Sequence, residues 1–144
     1  MPYINVSTSA KIEDKKKLLE EISILISSLT NKSRSFVMAK IDDNCQMYFD
    51  DETPSCFLEI KSIGSLNPSE MARPISDFVY EKIGIPIDRI YISFEDVPAS
   101  FWAWNGRTFG WKFFRFRLME INRLFDLNNF RIAPQLSSSQ KKNF

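Results

Sequence analysis

The chain of 144 residues has no histidine and only two cysteines, Cys45 and Cys56. Without imidazole, a zinc site or a Ser-His catalytic pair loses its usual ligand or base. Two thiols with no CxxC spacing are too few for a disulfide framework. No apolar run is long enough to cross a bilayer. The N-terminus lacks the basic, apolar and small-residue regions of a signal peptide. A reducing, cytoplasmic setting is therefore expected. Excess charge is missing too, with 19 Lys+Arg against 18 Asp+Glu, which argues against a general nucleic-acid binder. That balance hides an uneven distribution. Residues 1–110 carry 12 basic and 16 acidic side chains, whereas residues 111–144 carry 7 basic and 2 acidic ones. The length fits one domain with material to spare.

What is present is a repeated order of elements. Residues 2–8 alternate as a strand, with Ile4 and Val6 on one face together with Pro2. A proline is tolerated at the first strand position, where a missing donor harms least. Leu18, Leu19, Ile22, Leu25, Ile26 and Leu29 recur at helical spacing over 12–29, and Asn31 is a plausible stop. Residues 35–41 are expected to form a second strand, parallel to the first because a helical crossover joins them. The acidic stretch 42–55 is turn-like, with a possible short strand at 46–49. Residues 56–63 predict a third main strand, broken by Gly64. Asn67-Pro68-Ser69-Glu70 has the form of a helix start, with Asn at the cap and Pro in the first turn. Pro74 leaves two possibilities, a helix that begins near it or one that kinks there. Gly84 and Pro86 end this helix, and 88–95 predict a fourth strand. Asn105-Gly106 within 101–109 is a tight-turn signal.

Two strand–helix–strand units can place four strands in one sheet with both helices on one face. The opposite face would then be bare. It is expected to be apolar, built from Ile4, Val6, Leu58 or their alternates and Ile90 or Tyr91, and such a face calls for a partner.

The first residues carry the chemistry. Initiator Met is normally removed before a small second residue, which would leave Pro2 with a free secondary amine. An α-amino group has a pKa of about 8. A partly dry pocket beside a cation lowers that value, so that the amine can accept a proton near neutral pH. Lys32, just past the first helix, could supply the cation.

Together with Ser62-Ile63-Gly64 and the stretch "GIPIDRIYISFEDVPASFWAWNGRTFG" at 84–110, the Met-Pro start makes a recognisable pattern. Over roughly residues 1–110 the chain closely resembles the macrophage migration inhibitory factor family of the tautomerase superfamily, most of all its short cyanobacterial members. The resemblance implies an α+β fold of tandem β-α-β units, with a four-stranded mixed sheet and two helices on one face. It also implies a homotrimer in which the sheets form an inner barrel. The implied activity is cofactor-independent keto–enol tautomerisation of phenylpyruvate-like 2-keto acids or dopachrome-like compounds, with no metal and no nucleic acid involved.

In residue terms, the resemblance makes Pro2 the general base and Lys32 the group that binds the substrate carboxylate. It makes the Ile63 backbone part of the same pocket and has Tyr91 reach in from a neighbouring subunit. Animal members carry an asparagine two positions after that tyrosine; here Ser93 stands there, shorter and without an amide donor. Trp104 and Phe109 match apolar residues at the pocket mouth. The cysteine pair linked to thiol–disulfide activity in animal members falls at Ser55 and Leu58, so an oxidoreductase role finds no support. Taken one by one, Lys32 also has a reading as a solvated residue at a helix end. Tyr91 reads as sheet packing, and Trp104 and Phe109 read as contacts between subunits. A cytokine-like or other protein-binding homologue with weak residual turnover is the alternative function.

Residues 111–144 extend past the usual family end. Phe114, Leu118, Ile121, Leu124 and Phe125 share one helical side, with Lys112, Arg115, Arg117 and Arg123 interspersed. A basic amphipathic helix there could lie on an anionic membrane surface, pack on a neighbouring subunit, or have no role. The final Ser-Ser-Ser-Gln-Lys-Lys-Asn-Phe has the composition of a disordered end.

Overall fold

The computed structural model describes residues 1–110; the amphipathic helix expected in the extension lies outside the described residues. Four strands form one sheet: β1 (Tyr3–Thr8), β2 (Met38–Asp42), β3 (Cys56–Ser62) and β4 (Ile90–Asp96). Their order is β2-β1-β3-β4. Each β-α-β unit supplies a parallel pair, β1 with β2 and β3 with β4, and the units join through antiparallel β1 and β3. The sheet is therefore mixed, and the class is α+β.

The first helix, α1, spans Lys15–Thr30. It starts three residues later than the apolar spacing predicts. Asp14 is spent as its cap, with Oδ1 accepting from the Lys17 N–H at 3.0 Å. Ile12 instead donates its N–H to Asp43 Oδ2. Asn31 ends the helix in the left-handed region at φ 52°, as expected of a residue that tolerates that conformation.

The strand expected at 35–41 is shorter at its start. Arg34–Phe36 close a 3₁₀ turn, with Phe36 N–H donating to the Ser33 carbonyl, and pairing begins only at Met38. The short strand considered at 46–49 is not formed; a lone bridge between Phe49 and Asp51 is all the ladder there. Arg89 holds that loop instead. Its guanidinium donates to the carbonyls of Phe49, Thr53 and Pro54 and pairs with Asp51 at 3.0 Å.

The second helix, α2, runs from Pro68 to Ile83 with Pro74 inside it, so it does not wait until Pro74 to begin. Asn67 occupies the cap position, but its side chain accepts from the Ser69 hydroxyl and not from the helix backbone. Gly84 terminates the helix at φ 82°. A hairpin of β5 (Ala103–Trp104) and β6 (Arg107–Thr108) closes the described chain. Asn105 and Gly106 at its tip both have positive φ, which the two-residue turn requires.

One core lies between the sheet and the helices. Ile4, Val6, Leu58 and Ile60 from the strands meet Ile22 and Ile26 of α1 and Met71, Ile75 and Val79 of α2, all buried. Of the two residue sets expected for the bare face the alternates, with Tyr91, occupy it, and the apolar character expected of it is corrected. Ile4, Val6, Leu58 and Ile90 all lie on the helix-covered side, and the open face carries their alternates in register. Tyr3, Met38, Lys61 and Glu95 form one row, Asn5, Lys40, Glu59 and Ser93 the next, and Ser7, Asp42, Phe57 and Tyr91 the third. The open face is mixed and largely polar, not apolar.

Candidate active site

The site forms at the end of the sheet where β1 begins and β3 and β4 finish. Pro2 is buried directly before β1, and its carbonyl accepts from the Met38 N–H at 3.0 Å. Lacking a donor of its own, Pro2 leaves no ladder hydrogen bond unmade at this threshold.

Lys32 follows the cap of α1. Its backbone is tied to the last turn, with the Lys32 N–H donating to the Ser27 carbonyl and the Ser27 hydroxyl donating back to the Lys32 carbonyl at 2.6 Å. The ammonium is not left to solvent, as a residue merely following a helix end would be. It donates to Ser62 Oγ at 2.9 Å and to the Ile63 carbonyl. The terminal amine, here carried by Met1, lines the same cavity as Lys32. That amine is held below the ordinary α-amino value of 8.0, first by partial burial and then by the nearby Lys32 ammonium. Burial likewise lowers the Lys32 pKa, against an upward pull from the amine and from Asp96.

A cavity of about 1000 Å³ opens beside this pair. Met1, Lys32, Ser33, Phe36, Trp104 and Phe109 line it, with Asn105, Arg107 and Thr108 of the hairpin at its border. Lys32, Trp104 and Phe109 are thus brought together as anticipated, with Pro2 one residue behind the lining and Ile63 touching it through Lys32. Trp104 stays 57% exposed, so its ring is available to a ligand or a neighbouring chain.

Tyr91 and Ser93 do not join them. Both are exposed on the open sheet face, and Tyr91 sits near the start of β4, roughly 17 Å along the strand from its cavity end at 3.4 Å per residue. The Tyr91 ring packs against Phe49, 4.9 Å between centroids, and Arg89 lies over the other ring of that pair, 5.3 Å from the Phe49 centroid.

Three contributors were missed. Ser62, recognised only as part of a motif, is a direct partner of Lys32. Phe36 lines the cavity because the 3₁₀ turn removes it from the strand pattern in which it had been placed. Arg107, just after the Asn105-Gly106 turn, joins the lining as well. A polar residue two positions before the strand-breaking Gly64 is the available signal for Ser62; none marks Phe36. Burial pushes the Cys56 thiol up to about 12, leaving it without thiolate character at neutral pH. Among the described residues, no group of His, Cys, Asp and Glu could hold a metal ion.

These features define a class: two β-α-β units sharing one mixed sheet, with the chain's amine at the wall of an aromatic cavity beside one lysine. The family model described as macrophage migration inhibitory factor (MIF) matches residues 1–110. A macrophage migration inhibitory factor homolog of Trichinella spiralis is 32% identical over 114 residues, which are 76% of this chain and all of the relative. One from Brugia malayi is 30% identical over 115 residues with the same coverage. Among solved structures, the homologue from the cyanobacterium Prochlorococcus marinus is 39% identical with a TM-score of 0.72, covering 75% of this chain and 99% of that one. The Trichinella spiralis protein superposes with a TM-score of 0.70 at 29% identity, covering 74% and 98%. The chain belongs to the macrophage migration inhibitory factor family of the tautomerase superfamily.

Proposed function

We propose that the protein is a cofactor-independent keto–enol tautomerase of phenylpyruvate-like 2-keto acids, with dopachrome-like compounds as further substrates. The observation that carries this is the half-buried amino terminus, which lines an aromatic cavity together with Lys32. Once Met1 is removed, the reactive amine is the Pro2 nitrogen, on a residue that is itself buried and one position from the amine that feels the Lys32 charge. Both disfavour its protonated form.

Neutral Pro2 takes a proton from C3 of the keto acid. The C–H electron pair becomes the C2=C3 double bond, and the carbonyl pair moves onto oxygen. The proton held by Pro2 is then delivered to that oxygen, so the isomerisation consumes nothing else. Lys32 holds the substrate carboxylate and fixes the keto acid against the base. Phe36, Trp104 and Phe109 enclose the aryl ring and exclude water. Tyr91 and Ser93 enter only from a neighbouring subunit, since their own cavity lies at the far end of β4. A homotrimer with sheets facing inward would bring them there. The uncovered sheet face and the exposed Tyr91 support that arrangement.

The test combines intact mass, to establish a Pro2 terminus, with phenylpyruvate turnover across pH. Pro2→Gly is expected to lower kcat/KM by about two orders of magnitude or more, and equal turnover in this variant would refute the mechanism. The sign of the pH dependence follows from the groups. Activity falls in acid as the amine gains its proton, with a midpoint below the ordinary α-amino value. It falls again in alkali as Lys32 loses its charge, at a pH below the usual lysine value because burial lowers it. A solution mass of three times 16.8 kDa checks the trimer.

A further inference from the structure

We propose that Asp96, at the end of β4, is a positioning residue that sets where the Lys32 ammonium sits. It is absent from the cavity lining among the described residues. Its importance lies in what holds the Ser62–Ile63–Gly64 turn. The two ends of that turn are both fastened to the exit of β4. The Val97 N–H donates to the Ser62 carbonyl at 2.8 Å, and the Gly64 N–H donates to Asp96 Oδ1 at 2.8 Å. Between these anchors lie the two acceptors of Lys32, Ser62 Oγ and the Ile63 carbonyl.

Gly64 is in the left-handed region at φ 65°, where the peptide has no strand partner to keep its N–H in place. The Asp96 carboxylate supplies that partner, and a charged acceptor makes the stronger hydrogen bond. Release of Gly64 would let the Ile63 peptide rotate, and the lysine would lose one of its two fixed acceptors. A shift of a binding group by about an ångström can cost up to roughly a hundredfold in rate.

Asp96 also acts through space. The charged groups that act on Lys32 are the terminal amine before β1 and Asp96 from β4, while Arg107 from the hairpin lines the same cavity. Asp96 is the anion among them, and its charge favours the ammonium form of Lys32, opposing burial. Because Asp96 is exposed, salt weakens this influence. Hydrogen bond and charge can be separated. Asp96→Asn keeps an oxygen acceptor for Gly64 but removes the charge, and Asp96→Ala removes both.

The proposal's bearing on catalysis rests on the carboxylate-binding role given above to Lys32. The experiment measures phenylpyruvate kcat and KM for both variants and for Lys32→Ala, and titrates the Lys32 Cε resonance by NMR at low salt. Asp96→Ala is expected to raise KM roughly tenfold with a smaller change in kcat. Asp96→Asn should leave KM nearer the parent value. The Lys32 midpoint should move to lower pH in both. If Asp96→Ala does not fold, Asp96→Ser, whose side chain is too short to keep the Gly64 hydrogen bond, takes its place with the same KM readout. An unchanged KM in Asp96→Ala, or an activity loss that merely follows melting temperature, overturns the positioning role of Asp96, and an unmoved Lys32 midpoint in Asp96→Asn overturns the part played by its charge. Full turnover in Lys32→Ala would overturn the site assignment itself. Loss of turnover in Lys32→Ala with unmoved Asp96 variants would remove this inference alone.

Discussion

The two faces of the sheet obey different rules. The covered face is a row of residues with almost no exposure, Ile4, Val6, Leu58 and Ile60, closed by two helices. The open face, one residue out of phase on the same strands, carries Lys40, Glu59, Lys61 and Glu95 beside Tyr3, Phe57 and Tyr91. Each buried aliphatic side chain on the first face contributes about 1.5–3 kcal/mol relative to exposure. On the second, the Lys61–Glu95 pair lies at 3.0 Å in solvent, where screening leaves it little influence on folding. The difference teaches that the fold is secured from one side alone, which leaves the other free to be shaped by contacts and chemistry.

Substitutions sharpen that contrast. The largest effect on folding is expected at Ile60, fully buried against both helices. Ile60→Ala should cost about 2–5 kcal/mol, read as a lower midpoint in denaturant titration. A loss below 1 kcal/mol would mean that the covered face is not the core. Tyr91→Ala comes next. It should lower phenylpyruvate kcat/KM about tenfold while the unfolding midpoint stays close to that of the parent, because its ring rests on Phe49 at the surface. A large stability loss with unchanged catalysis would return Tyr91 to sheet packing. The smallest effect is expected at Lys61, where Lys61→Ala should leave the unfolding midpoint unchanged. A clear drop would show that the open face contributes to folding after all.

Most of the framework was legible because its signals are local. Helical spacing marked α1, Asn31 and Gly84 marked the two helix ends, and Asn105-Gly106 marked the hairpin. Boundaries slipped where a tertiary bond overrode the local pattern. Ile12 is drawn to Asp43 and so stays out of α1, and the 3₁₀ turn takes Phe36 out of β2. The cavity was half legible. The resemblance pointed to Lys32, Trp104 and Phe109, but the partners that hold Lys32 lie about thirty residues away at Ser62 and Ile63. No periodicity connects residues at that separation. Arg89 is equally hidden, since its three carbonyl partners belong to a loop that resembles an unstructured acidic stretch.

The sequence by itself determined the order of elements, their caps and turns, and the family, because these depend on neighbouring residues and on motifs read in line. Only the tertiary structure decided which face of the sheet the helices cover. A side-chain period of two yields two candidate faces per strand, and burial against α1 and α2 is what selects between them. The same packing brought the amino terminus, the end of α1 and the turn after β3 to one place, and so turned a lysine at a helix end into a cation beside an amine.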